Sequence, residues 1–95
     1  MTEAIDPKSI PAISPLFRFQ WEEVQKSYVI LYPEGMVTLS LSAGEIMKCV
    51  DGQTAVVKII STLEQLFEQS DLTDDVINFL QEAHGNDWIR FNKAE

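Results

Sequence analysis

Tyr28-Val29-Ile30-Leu31-Tyr32-Pro33-Glu34-Gly35-Met36-Val37-Thr38-Leu39-Ser40-Leu41 holds two strand-like runs with a turn signal between them. Tyr28 to Tyr32 is β-branched and aromatic apart from Leu31. Beyond the turn, Val37, Leu39 and Leu41 alternate with Met36, Thr38 and Ser40, the period of a strand with one buried face. Pro33 presets the φ of an early turn position and Gly35 accepts the left-handed conformation that follows, so the two runs are expected to form a hairpin. Upstream, Phe17, Phe19 and Trp21 alternate with Arg18 and Gln20, which predicts a further strand with the same one-sided pattern.

Downstream of Leu41 the apolar period lengthens to that of helices. Ser42-Ala43-Gly44-Glu45 fits a capping box and predicts a first helix through Ile46, Met47 and Val50, closed by Gly52 in a left-handed cap. A second helix is expected from near Thr54, with Val56, Ile59, Ile60, Leu63, Leu66 and Phe67 on one inward face. The third has Thr73 as its expected N-cap, Asp74 and Asp75 beside the positive end of its dipole, and Leu72 placed to staple onto Ile77. Its inward stripe is Val76, Phe79, Leu80 and Ala83. Trp88 and Ile89, after Gly85-Asn86, are expected to fold back onto the core. The order is β-β-β-α-α-α. A one-sided sheet needs helices over its apolar face, so the expected fold is α+β: a winged-helix-like domain of a three-stranded antiparallel sheet followed by three helices.

With 95 residues the chain has room for one modest core. Residues 1–15 carry Pro7, Pro11 and Pro15, which remove amide donors and bias their neighbours towards extended backbone. They are read as a flexible arm, and 16–95 as the single domain. Fifteen Asp and Glu against seven Lys and Arg give a net charge of −8, which repels phosphate backbones and anionic lipid. The lone Cys49 cannot form an intramolecular disulfide and no targeting segment is visible, so a cytoplasmic setting is expected.

Catalytic parts are sparse. His84 is the only histidine and reads as a polar helix-end residue. Cys49, beside Val50 on the first helix, reads as a small core residue rather than a nucleophile. Asp74 and Asp75 are explained by the helix N-terminus they serve. There is no phosphate-cradling glycine loop, metal motif or triad pattern. A winged-helix order also suggests a DNA-binding regulator. The recognition helix of that alternative, Asp74 to Ala83, holds Asp74, Asp75 and Glu82 and no Lys or Arg, so it would meet phosphates with like charge. A third strand at an open sheet edge offers a different use, accepting an extended peptide through its backbone.

Phe17-Arg18-Phe19-Gln20-Trp21-Glu22, Tyr28 to Gly35, Leu39 with Ser42-Ala43 and Glu45-Ile46, Asp51-Gly52, Asp75-Val76 with Phe79-Leu80, and Trp88-Ile89 together resemble the PqqD family of pyrroloquinoline quinone (PQQ) biosynthesis. The likeness spans nearly all of residues 11–89. Two positions depart from the usual pattern: Ser40, where many relatives carry asparagine, and Gln53, where arginine usually follows Asp-Gly.

The resemblance implies a RiPP recognition element, a winged-helix-like domain that holds peptide instead of DNA. It implies binding of the ribosomal precursor peptide PqqA and its presentation to PqqE, a radical S-adenosylmethionine enzyme that joins a glutamate to a tyrosine within that peptide. It also implies no catalysis and no cofactor in the chain itself. An open strand edge can pair with a second copy as readily as with a peptide, so a monomer or weak homodimer is expected. Carried onto this sequence, the peptide lies along the third strand at Met36, Val37, Thr38, Leu39 and Ser40. The third helix contributes a wall of Asp75, Ile77, Asn78, Phe79 and Glu82.

Overall fold

The structure is a computed structural model that describes residues 5–92. In chain order it comprises β1 (Ile10–Ile13), β2 (Arg18–Glu22), β3 (Ser27–Tyr32), β4 (Gly35–Thr38), α1 (Leu41–Lys48), α2 (Val56–Leu66), α3 (Thr73–Gly85) and β5 (Ile89–Asn92). The expected meander is present: β2, β3 and β4 form an antiparallel sheet in that order, with Phe19 opposite Ile30 and Ile30 opposite Val37. Side-chain alternation puts Phe17, Phe19, Tyr28, Ile30, Val37 and Leu39 on one face, and all six pack into or against the core under the helices. Aromatic pairing tightens that face, with Phe19 stacked on Tyr28 at 4.9 Å and Trp21 edge-on to Tyr28 at 5.0 Å.

Close approach of helix to sheet depends on Gly44. A Cβ there would lie 2.8 Å from the Tyr28 ring, so only glycine lets α1 rest on β3. Gly35 serves differently from expectation. It does not take a left-handed φ; Pro33 and Glu34 alone make the turn, and Gly35 opens β4 opposite Tyr32, whose hydroxyl would crowd a Cβ at 3.1 Å.

Several boundaries move from their expected places, each for a local reason. β4 stops at Thr38, because Ser40, not Ser42, caps α1: its hydroxyl accepts the Ala43 amide at 3.2 Å. Leu41 thereby becomes helical and is 75% exposed. Glu45 turns to Lys48 instead of closing a capping box. α1 ends at Lys48, so Gly52 is not its C-cap. Gly52 does take φ +77°, in a turn held by Asp51, whose carboxylate accepts the Gln53 and Thr54 amides at 2.8 Å each. That turn postpones α2 from Thr54 to Val56.

Val56, Ile59, Ile60 and Leu63 of α2 are buried as expected, but Leu66 and Phe67 are 59% and 40% exposed, since the helix ends there and Glu68 turns the chain at φ +53°. Thr73 is already inside α3, and no side chain caps the helix through its own N-cap residue. Glu64 of α2 accepts the Leu72 amide at 3.0 Å in its place. Val76, Leu80 and Ala83 are buried, Phe79 half so; Leu72 and Ile77 both pack against the core.

Part of the segment expected to be a loose arm is built into the fold. Ile10–Ile13 pair along their whole length with Ile89–Asn92, making a separate two-stranded antiparallel ribbon. Pro11 is buried there without penalty. Ser14 N–H donates to the Trp88 carbonyl at 2.9 Å, so by antiparallel alternation Pro11 and Phe91 form a non-hydrogen-bonded pair that needs no donor from Pro11. Trp88 and Ile89 close onto the core at 8% and 1% exposure. Of the expected arm, residues 1–4 lie outside the described residues. No described helix is long and apolar enough to cross a membrane.

Candidate functional site

β4 is bonded on one side only. Leu39 N–H donates to the Tyr28 carbonyl at 2.9 Å, and the register makes Ile30 and Val37 the next hydrogen-bonded pair. Met36 and Thr38 therefore sit in the non-bonded pairs, and their amides and carbonyls point away from β3 along an open edge. The other outer edge, β2, carries the charges of Arg18 and Glu22, a device that discourages pairing; Gly35-Met36-Val37-Thr38 carries none.

The open edge runs into a groove. Ser40, just past the strand, lines a depression of about 480 Å³ between the start of α1, the end of α2 and the first half of α3. Ile46, Leu63, Leu72, Val76, Phe67 and Phe79 make it predominantly apolar, with Ser42, Gln69, Asp75 and Asn78 as its polar lining.

The expected site residues divide into three groups. Met36, Val37 and Thr38 lie on β4, Met36 exposed to 41%, Val37 half-buried towards the core and Thr38 bonded through Oγ1 to Gln25 at 2.8 Å. Ser40, Asp75, Asn78 and Phe79 come together in the groove. Leu39, Ile77 and Glu82 do neither: Leu39 is 7% exposed in the core, Ile77 packs against it, and Glu82 stands exposed beyond the lining. Ile46, Leu63, Phe67, Gln69 and Leu72 were not among the expected residues, although Leu66-Phe67 followed by polar Glu68 to Asp71 is the mark of an apolar stripe outrunning its helix.

Charge is distributed unevenly around this groove. Residues 59–89 contain Glu64, Glu68, Asp71, Asp74, Asp75, Glu82 and Asp87 and not one Lys or Arg. An α3 so surrounded is unsuited to phosphate backbones. Of the chemical candidates, Cys49 has its thiol pushed up by burial and by Glu45, and it donates weakly to the Glu45 carbonyl at 3.6 Å, both unfavourable to a thiolate. His84 tilts against Phe91 at 5.1 Å. Among the described residues no group of three His, Cys, Asp or Glu side chains is arranged to hold a metal ion.

Residues 27–89, which span β3, β4, the groove and all three helices, match the family model described as coenzyme PQQ synthesis protein D, PqqD. The chain belongs to the PqqD family. A Methylococcus capsulatus protein named PqqA binding protein is 42% identical over 87 residues, covering 92% of this PqqD-family chain and 94% of its own length. A protein of the same name from Pseudomonas paraeruginosa is 46% identical over 82 residues, covering 85% and 89%. The PqqD fold itself is matched by a solved structure with TM-score 0.70 at 23% identity, covering 90% of this chain and 99% of the other. That structure is the solution NMR structure of the PqqD truncation of Methylobacterium extorquens PqqCD, described as a functional and stand-alone RiPP recognition element.

Proposed function

We propose that this protein captures a ribosomally made precursor peptide of the PqqA kind as an added strand along β4 and presents it to the radical S-adenosylmethionine enzyme PqqE in PQQ biosynthesis. The observation that carries the reading is the uncharged edge of β4, whose outward Met36 and Thr38 backbone groups lead through Ser40 into an apolar groove. Backbone pairing supplies affinity that is indifferent to sequence, and the groove supplies choice. The names of the 42–46% identical relatives, PqqA binding protein, support the same ligand here.

The reaction belongs to the partner enzyme. This chain acts in the cytoplasm as a monomer or weak dimer, holds no cofactor, and works by tethering: with peptide and enzyme on one scaffold, their encounter becomes intramolecular and its effective concentration rises. Ordering a flexible peptide is unfavourable, so a micromolar Kd, about −8 kcal/mol, already requires that edge and groove act together.

The test is calorimetric titration with the PqqA precursor encoded in the same genome, followed by turnover of that peptide by PqqE with and without this chain. Saturable one-to-one binding, lost in Thr38→Pro while the fold is retained, is the expected result. Absence of binding both with and without PqqE would refute capture; binding without any effect on turnover would refute presentation.

A further inference from the structure

We infer that the groove selects its peptide by an apolar side chain followed closely by a cation: an aliphatic or aromatic anchor within the groove and a Lys or Arg against Asp75 and Glu82. The inference rests on the reading of β4 as the peptide's edge and specifies what that edge delivers. A strand paired to Met36 and Thr38 alternates its side chains, so the residue arriving beside Ser40 can turn one side chain towards the helices, where the groove begins. The floor it meets is Ile46, Leu63 and Val76, all buried members of the core, with Phe67 and Phe79 as walls.

The rim is where choice by charge enters. Asp75 lines the groove, and Glu82, seven residues on, lies two turns along the same face of α3. Both are exposed, and neither takes part in the two ion pairs found among the described residues, Lys26–Glu23 and Lys48–Glu45, which belong to the β2–β3 turn and to α1. Glu64 already accepts the Leu72 amide. With no Lys or Arg in residues 59–89, nothing in that stretch offsets the rim's field, so an arriving cation supplies the missing counter-charge and an arriving carboxylate is repelled. One exposed pair contributes little, but reversing its sign exchanges attraction for repulsion amid several like charges, an effect of about tenfold in Kd at low salt.

The experiment uses the full chain and a set of fluorescently labelled PqqA peptides, each with one Lys or Arg changed to Glu, read by anisotropy at low and high salt. One such peptide is expected to bind about tenfold more weakly than the parent, the gap narrowing as salt rises. The double variant Asp75→Lys/Glu82→Lys is expected to restore that peptide's binding. Asp6→Lys, an exposed change at the N-terminal side of the fold, is expected to leave it weak. All peptides binding alike while Thr38→Pro still abolishes capture would overturn the charge selection and leave the β4 reading standing. Equal rescue by Asp6→Lys would overturn it too, since net charge would then suffice. No binding by any peptide would overturn both readings.

Discussion

β1 and β4 are both four-residue strands with a partner on one side, and they treat the opposite side in contrary ways. Away from β5, the β1 segment is sealed without another strand: the carbonyls of Pro7, Ser9 and Pro11 accept the amides of Val57, Val56 and Gly52 at 2.9–3.0 Å. β4 presents Met36 and Thr38 outward with no such cover. A chain that can seal one edge with a turn and the start of a helix does not lack the means to seal another. An exposed edge without charges carries a risk of unwanted pairing, so its retention points to use rather than to accident.

Breaking the sealed side should cost stability, and altering the open side should cost binding. The largest effect is expected from Ile89→Ala: Ile89 is 1% exposed and pairs with Ile13, and its truncation should lower the unfolding free energy by about 2–5 kcal/mol, measurable by urea titration. Next comes a pair of prolines one residue apart. Val37→Pro removes a donor bonded to β3 and leaves the Ile30 carbonyl short of its partner, so it should destabilise the fold by about 1–3 kcal/mol. Thr38→Pro removes a donor that faces outward, so it should leave the melting temperature within a few degrees while weakening peptide capture roughly a hundredfold. Should both prolines unfold the protein equally, the assignment of inward and outward amides is wrong. Ser40→Ala deletes the α1 cap and should cost about 1 kcal/mol in thermal melts, with a modest loss of affinity because Ser40 also lines the groove.

The smallest effect concerns acid. Amides of Gln53 and Thr54 and the Thr54 hydroxyl hold the Asp51 carboxyl below its usual range. Its contribution is therefore complete above the ordinary value of 3.8 and fades as pH falls through the lower folded value. Because Asp51 shapes the turn that brings the Gly52 amide to Pro11, the protection of the Gly52 amide against hydrogen exchange, taken relative to its intrinsic rate at each pH, should fall below about pH 4 in the native chain, and Asp51→Asn should flatten that dependence.

The meander was legible in the sequence because everything it needs is local: alternation on three short runs and a two-residue turn. The ribbon was not. Ile10 to Ile13 contains a proline, and what makes Pro11 harmless, its place in a non-bonded pair, is fixed by Phe91, eighty residues away. Ile89 and Phe91 do alternate with Arg90 and Asn92, a signal too short to read without its partner. The edge half of the candidate site followed directly from strand order. Its groove half depends on where α2 stops: Leu66 and Phe67 continue the helical stripe in sequence, and only the turn at Glu68 leaves them exposed and puts Phe67 in the lining.

The ribbon also settles how the molecule bears load. Ile10 is paired with Asn92 and Ile13 with Ile89, so the chain enters and leaves the ribbon at the same pole. Tension between the two ends, once the contacts of Pro7 and Ser9 with α2 have given way, falls on the ribbon as on a zipper, one rung after another from Ile10–Asn92 inwards, never on several rungs sheared together. The meander, whose ends are not in that line, would be spared until the ribbon had parted. A chain pulled from its termini thus comes apart in two acts, and the meander is the second.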